Sequence, residues 1–221
     1  MSMAAANERW WANSYLHMEA EGYQYDRRIS DWSKIPDPNP DPLKRNSRGV
    51  FARNGGLMVK RRLTLAEDNV MYRFAAARFG KKGARGAEHL LPLLNSPWWM
   101  EENRMFLLLS RARQAGVGLV EMARRQLALP QEWTDADVIV RVHIKPGILL
   151  AAHAGPGLTA EGGGERRIIA PEAPHLLIDQ IYIPGLGRHP ALGSAGQGNA
   201  SAWFEPNTAV AFDPNVRGLN P

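Results

Sequence analysis

Cysteine is absent from the 221 residues. A disulfide scaffold, a cysteine nucleophile and a thiolate metal site are therefore excluded, while the redox compartment stays open. No uncharged apolar run approaches the roughly twenty residues a membrane span needs, and mean hydropathy is −0.34. Residues 1–11 lack the basic, then apolar, then small pattern of a secretory signal peptide. Several catalytic signatures are missing as well. The chain has no G-x-x-x-x-G-K-[ST] phosphate loop, no G-x-G-x-x-G opening a helix after a strand, no H-E-x-x-H and no G-x-S-x-G. Its histidines are scattered, so no metal site is read from spacing.

What is present makes a folded chain. The hydrophobic fraction is 44%, enough for a core and too much for a disordered segment. Lys and Arg number 27 against 22 Asp and Glu, a formal net charge of +5. That excess is compatible with a nucleic-acid partner but modest over this length.

The chain divides near residue 60. Residues 7–21 place Trp10, Trp11, Tyr15 and Met18 at spacings of three to five, as an amphipathic helix does. Its aromatics either dock a partner or pack on their own domain. Proline at every second position over 36–42 forbids helix and sheet and favours an extended spacer. Lys44, Arg45, Arg48, Arg53, Lys60, Arg61 and Arg62 then follow with no acidic residue among them, a run that suits an acidic partner or a solvated connector. Residues 1–60 thus read as an extension, linker or docking segment, and 61–221 as the main folded domain.

Within that domain, 69–74 reads as a strand, 80–86 as a glycine- and lysine-rich loop and 88–94 as a short helix. A longer helix is expected over 100–114, opened by Asn95-Ser96-Pro97, with Met105, Phe106, Leu108, Leu109 and Ala112 inward. Another spans 119–127. The period then falls to two, giving strands at 137–144, 147–154, 166–170 and 176–183. Recurring glycines make 185–201 a loop. Helices before strands argue for an α+β domain.

Three short signals carry chemistry. Tyr72-Arg73 ends the first strand, and an arginine fork there suits a phosphate or carboxylate. Ser96-Pro97-Trp98-Trp99 precedes a helix, where a serine also serves as a cap. Gly162-Gly163-Gly164-Glu165 runs into a late strand, a setting that places a carboxylate at the lip of a cleft.

In this order the three resemble the mono-ADP-ribosyltransferase family, in particular the toxin domains of bacterial polymorphic and secretion-delivered effectors, over roughly residues 63–185. The resemblance implies a split β-sandwich, two small sheets around an NAD cleft, with flanking helices. It implies that NAD is consumed as substrate. Arg73 would hold the NAD phosphates, with Tyr72 beside it; Ser96 would steady the site; Trp98 or Trp99 would stack on the nicotinamide; Glu165 would be the catalytic carboxylate, with Glu161, Glu172 and Gln180 as nearby competitors. Pro97 and Trp98 stand where the family's serine motif continues, and Gly163 stands where many members carry a second Gln or Glu. The implied activity is transfer of ADP-ribose to a protein or RNA of a competing or host cell, or hydrolysis of NAD. Implied partners are an acidic immunity protein and a secretion chaperone or adaptor, with no membrane. The route would be independent of a signal peptide, with action in the target-cell cytoplasm; otherwise the protein would be cytoplasmic.

Two other readings stay open. A metal-independent RNase-type toxin would use His143, His153 or His175 as acid and base, with Arg141 or Lys145 at the phosphate. A non-catalytic adaptor would bind through Trp10, Trp11 and the proline spacer.

Overall fold

Two short helices open the chain, α1 (Glu8–Trp11) and α2 (Ser14–Ala20). The continuous helix expected over 7–21 breaks between them, because Asn13 caps a new one. Its side-chain oxygen accepts from the amides of Tyr15 and Leu16 at 3.0 and 3.3 Å. The buried face of α2 is set by Tyr15, Leu16 and Ala20, while Trp10, Trp11 and Met18 are half-buried. A two-residue strand follows, β1 (Tyr23–Gln24), paired with β2 (Ala52–Arg53).

The computed structural model describes residues 4–24, 52–53, 55–82, 86–131, 134–158, 160–161, 168–169, 177–187 and 199–215. The expected proline spacer, Lys44, Arg45, Arg48, Glu165, Glu172, His175 and most of the glycine-rich loop lie outside them.

Next come β3 (Arg61–Leu65), β4 (Val70–Ala75), α3 (Gly86–Leu94) and β5 (Trp98–Glu101). Strand β5 corrects the expectation that Asn95-Ser96-Pro97 opens a helix. Residues 98–101 alternate sides and pair with neighbouring strands, so α4 (Glu102–Ala115) starts only at Glu102. It stops at Gly116, whose φ of 65° is the left-handed helix cap that glycine adopts without strain. Helix α5 (Leu119–Leu127) has the expected bounds. The remaining elements are β6 (Val138–His143), β7 (Leu150–Pro156), β8 (Ala160–Glu161), β9 (Ile168–Ile169), β10 (Asp179–Tyr182), α6 (Asn199–Trp203) and β11 (Val210–Phe212).

Seven strands form one antiparallel sheet in the order β11-β6-β4-β5-β10-β7-β3. With its helices it makes an α+β fold. The period-two pattern explains its faces. Met71 and Ala75 of β4, Val138, Val140 and Val142 of β6, and Leu150, Ala152 and Ala154 of β7 point to one side. There they meet α3, Trp99, Ile181, Trp203 and Phe204. Tyr72, Phe74, Met100 and Ile139 point to the other, under Met105, Leu108 and Ala112 of α4 and Leu119, Met122 and Leu127 of α5. A smaller cluster, Leu16, Ala20, Leu57 and Tyr182, covers that second side at the β10 end.

Residues 4–24 and 55–60, part of the stretch read as an extension, lie against this sheet. The buried Asn7 side chain donates to the carbonyls of Ala151 and Pro184 at 2.8 and 3.0 Å, and accepts from the Ala151 amide at 2.8 Å. These bonds tie the start of the chain to β7 and to the turn after β10. The end of the basic run is also occupied. Arg62 pairs with Glu8 at 2.7 Å and covers the Trp11 ring at 4.4 Å, while Arg61 lies 3.7 Å from Asp179 and 3.9 Å from Glu101.

Candidate functional site

The sheet parts at β5. Its second half pairs with β4, Met100 opposite Tyr72 and Glu101 opposite Met71. Its first half pairs instead with β10, Trp99 opposite Ile181 and Trp98 opposite Tyr182. Continued pairing with β4 would set Arg73 against Trp99, but from Arg73 onward β4 keeps only β6 as partner. Two hollows flank Arg73 where the strands separate, of about 180 and 340 Å³. The smaller is walled by Phe74, Trp98, Met100, Leu127 and Gln180, the larger by Leu93, Pro97, Leu186 and Glu19; Arg73, Ser96 and Thr134 line both.

Arg73 is half-buried between them. Its Nη1 donates to the Leu93 carbonyl at 2.5 Å, its Nε has no partner, and its guanidinium lies 5.7 Å from the Trp99 ring centroid. Among the described residues no carboxylate pairs with it. Burial alone pulls its pKa down to about 10, so the group remains cationic at neutral pH. A guanidinium in that state is poised for an anion, because a ligand's phosphate would supply the charge the protein withholds.

Ser96 braces the turn into β5. Its Oγ accepts from the Trp98 amide at 3.3 Å and its carbonyl from Trp99 Nε1 at 2.6 Å. The two tryptophans, adjacent on a strand, face opposite ways. Trp99 is buried and tilts on Phe204 at 4.9 Å. Trp98 is half-buried, stands edge-on to Tyr182 at 5.0 Å and leaves a face on the smaller hollow.

The far wall is a turn held by side-chain hydrogen bonds. Ala128 caps α5 with φ 48°, a left-handed backbone that costs an alanine about 1–2 kcal/mol. Gln180 Nε2 donates to Leu127 O at 2.8 Å and Arg124 Nη1 to Leu129 O at 3.2 Å, holding the turn from both sides. Gly157 leaves room for that contact, since a Cβ there would lie 2.5 Å from Gln180 Nε2.

Comparison with protein-family models, with curated proteins and with solved structures finds no match. The site is therefore read from its own geometry.

Of the residues singled out in the sequence, Arg73, Ser96, Trp98 and Trp99 come together on one hollow. Tyr72 does not. It shares its sheet face with Phe74 but lies away from the hollow, where its hydroxyl donates to Glu102 at 3.3 Å and its ring meets Phe106 at 6.3 Å. Burial there holds its phenol above the ordinary pKa. Glu165 and Glu172 lie outside the described residues; Glu161 is on β8, paired with β9. Gln180, one of the competitors for the carboxylate position, is in the wall.

The histidines of the RNase reading are spread out. Strands β4, β5 and β10 separate His143 on β6 from His153 on β7, about 19 Å at ordinary strand spacing. His143 Nε2 lies 3.2 Å from Arg141, and Lys145 donates to Ser201 O at 2.7 Å. His153 is buried, stacked on Trp11 at 4.1 Å and edge-on to His17 at 4.2 Å. Burial, then the nearby His17 and Arg62, push its pKa down to about 3, so it is neutral. His175 lies outside the described residues.

Of the wall residues that sequence reasoning did not single out, two are polar, Thr134 and Glu19. Thr134 carried no signal. Glu19 carried one: it lies three residues after Leu16 and one before Ala20, a carboxyl inside an apolar helical stripe.

Proposed function

We propose that this protein is an NAD-consuming toxin of the ADP-ribosyltransferase type, which cleaves the nicotinamide–ribose bond and passes ADP-ribose to a macromolecule or to water. The observation that carries the reading is the meeting of Arg73, Ser96 and Trp98 where β4 and β5 part, with an uncompensated guanidinium between two hollows. Such a layout suits a two-headed ligand joined by a phosphate bridge. The expected split β-sandwich has two small sheets; here seven strands are linked as one sheet that changes its pairing partner at β5.

The chemistry assigns each group a task. The guanidinium fork holds the pyrophosphate. The exposed face of Trp98 receives the pyridinium ring, whose positive charge favours an aromatic face. Glu165, which follows three glycines in the sequence, stabilises the oxocarbenium character that grows on the ribose as nicotinamide departs. The target is a protein or RNA of a competing or host cell, reached by a route independent of a signal peptide, and an acidic immunity protein covers the cleft in the producer. A secretion chaperone or adaptor delivers the toxin.

Incubating the protein with NAD and, separately, with total RNA tests the proposal. Nicotinamide release without RNA shortening is expected. RNA shortening in the absence of NAD overturns it in favour of a nuclease.

The two tryptophans separate binding from folding. Trp99→Ala empties a core position and is expected to lower stability by about 3–5 kcal/mol, read in a denaturant melt. Trp98→Ala is expected to melt close to the parent and to weaken NAD binding by about 2- to 30-fold, the range of a lost cation–π contact. Equal loss of stability in both variants would contradict the division of roles.

A further inference from the structure

We propose that Glu19, carried by the N-terminal helix α2, is the residue that selects NAD over NADP, its carboxylate accepting a hydrogen bond from the 2′-hydroxyl of the adenosine ribose in the larger hollow. The inference rests on the NAD-cleaving reading and deepens it, because it fixes which dinucleotide the Arg73 site takes.

The placement follows from the ligand's own layout. With the pyridinium on Trp98 in the smaller hollow and the pyrophosphate on Arg73, which lines both, the adenosine half falls in the larger. At about 340 Å³ that hollow lies within the size range of small-molecule pockets, about 300–1,000 Å³. Leu93, Pro97, Leu186 and the exposed Phe79 give it apolar surface for a base.

The charged residues that line it are Arg73 and Glu19. No ion pair or hydrogen bond joins them, although opposite charges taken out of water are costly unless they pair. A cation and an acid held apart in one hollow match a ligand that offers an anion to the first and a hydroxyl to the second. A ribose beside a phosphate offers both.

Glu19 has an acceptor for that hydroxyl. Its neighbours Leu16 and Ala20 are fully buried with Leu57 and Tyr182, a setting in which a carboxyl is unfavourable unless it is paired or used. The Tyr182 hydroxyl donates to Oε2, which holds the side chain and leaves Oε1 without a hydrogen bond to any described residue. A carboxylate bonded to the ribose 2′-hydroxyl is how dinucleotide sites on an unrelated fold favour NAD. A 2′-phosphate would instead set one anion against another, and such a juxtaposition is strongly unfavourable where water is scarce. Burial raises the Glu19 pKa to about 7, and the Tyr182 hydrogen bond offsets part of the rise. The charged form therefore prevails at about pH 8.5, where the test is run.

The test measures nicotinamide release from NAD and from NADP by the full chain and by Glu19→Gln, and titrates ADP and 2′-deoxy-ADP into the parent protein. The parent is expected to favour NAD by at least about 100-fold in kcat/KM and to bind ADP about 10-fold more tightly than 2′-deoxy-ADP. Glutamine keeps the size of the side chain and removes its charge. Glu19→Gln is expected to shrink the preference to less than about 10-fold, chiefly through a lower KM for NADP. A Glu19→Gln variant with the parental preference, or a parent that cleaves both dinucleotides equally well, overturns the proposal while leaving NAD cleavage intact. Equal affinity of the parent for ADP and 2′-deoxy-ADP also overturns it, and that measurement needs no folded variant. A parent that releases nicotinamide from neither overturns the NAD reading and this role together.

Discussion

Arg73→Lys is expected to raise the KM for NAD about 10- to 150-fold while changing kcat by no more than about threefold. The reasoning starts from geometry. The guanidinium spends one bond of Nη1 on Leu93 O and has no carboxylate partner among the described residues, so donors of its planar fork remain for a phosphate. Lysine keeps the charge but replaces the fork with a point donor on a flexible stem. Losing one charge-assisted bond costs about 1.5–3 kcal/mol, which sets the expected range. Lysine can still reach a carbonyl, so the melting temperature should move little. Steady-state kinetics together with a direct NAD titration check the result. A KM unchanged by the substitution would mean that the anion does not sit at Arg73, and the site reading would fall.

Glu165→Gln is expected to have the larger effect on turnover, a loss of about 100- to 1000-fold in kcat with NAD binding almost unchanged. Glutamine has the same size and hydrogen-bonds the ribose, so the ground-state complex survives. What it lacks is negative charge, which matters only as the sugar becomes cationic and the C1′–N bond lengthens. The loss should be equal at every pH. Glu161→Gln and Glu172→Gln, assayed side by side, assign the carboxylate: whichever variant alone shows the kcat loss with preserved affinity carries the role.

How much of this was legible beforehand depended on how local the signal was. Helix α5 could be read residue by residue, because Leu119, Met122, Ala123 and Leu127 recur at helical spacing and all are buried. Strand β6 was equally plain from its alternating valines. The strand β5 was not. Four residues beside a helix start have too little period to show, and Ser96 fitted a helix cap as well as a strand turn. Strands β3 and β11 were missed for a related reason, since as edge strands they expose much of their length and carry weak alternation. Glu19 was overlooked because the aromatics at Trp10, Trp11 and Tyr15 drew the helix face toward themselves. The Asn13 cap breaks that helix and turns α2 onto Leu16 and Ala20 instead.

The sequence by itself determined the local grammar: which segments coil, which extend, and that an arginine, a serine and paired tryptophans occur at the ends of such segments. Those properties follow from backbone preference and side-chain period, which act over a few residues. Only the tertiary structure decided that β5 divides its pairing between β4 and β10 and so opens a gap beside Arg73. Only it turned Tyr72 toward Glu102 and away from the hollows, and brought Glu19 of α2 to the hollow beside Arg73. Strand pairing and burial are contests among distant segments for the same apolar surface and the same hydrogen bonds. Their outcome depends on the whole set of competitors rather than on any one stretch.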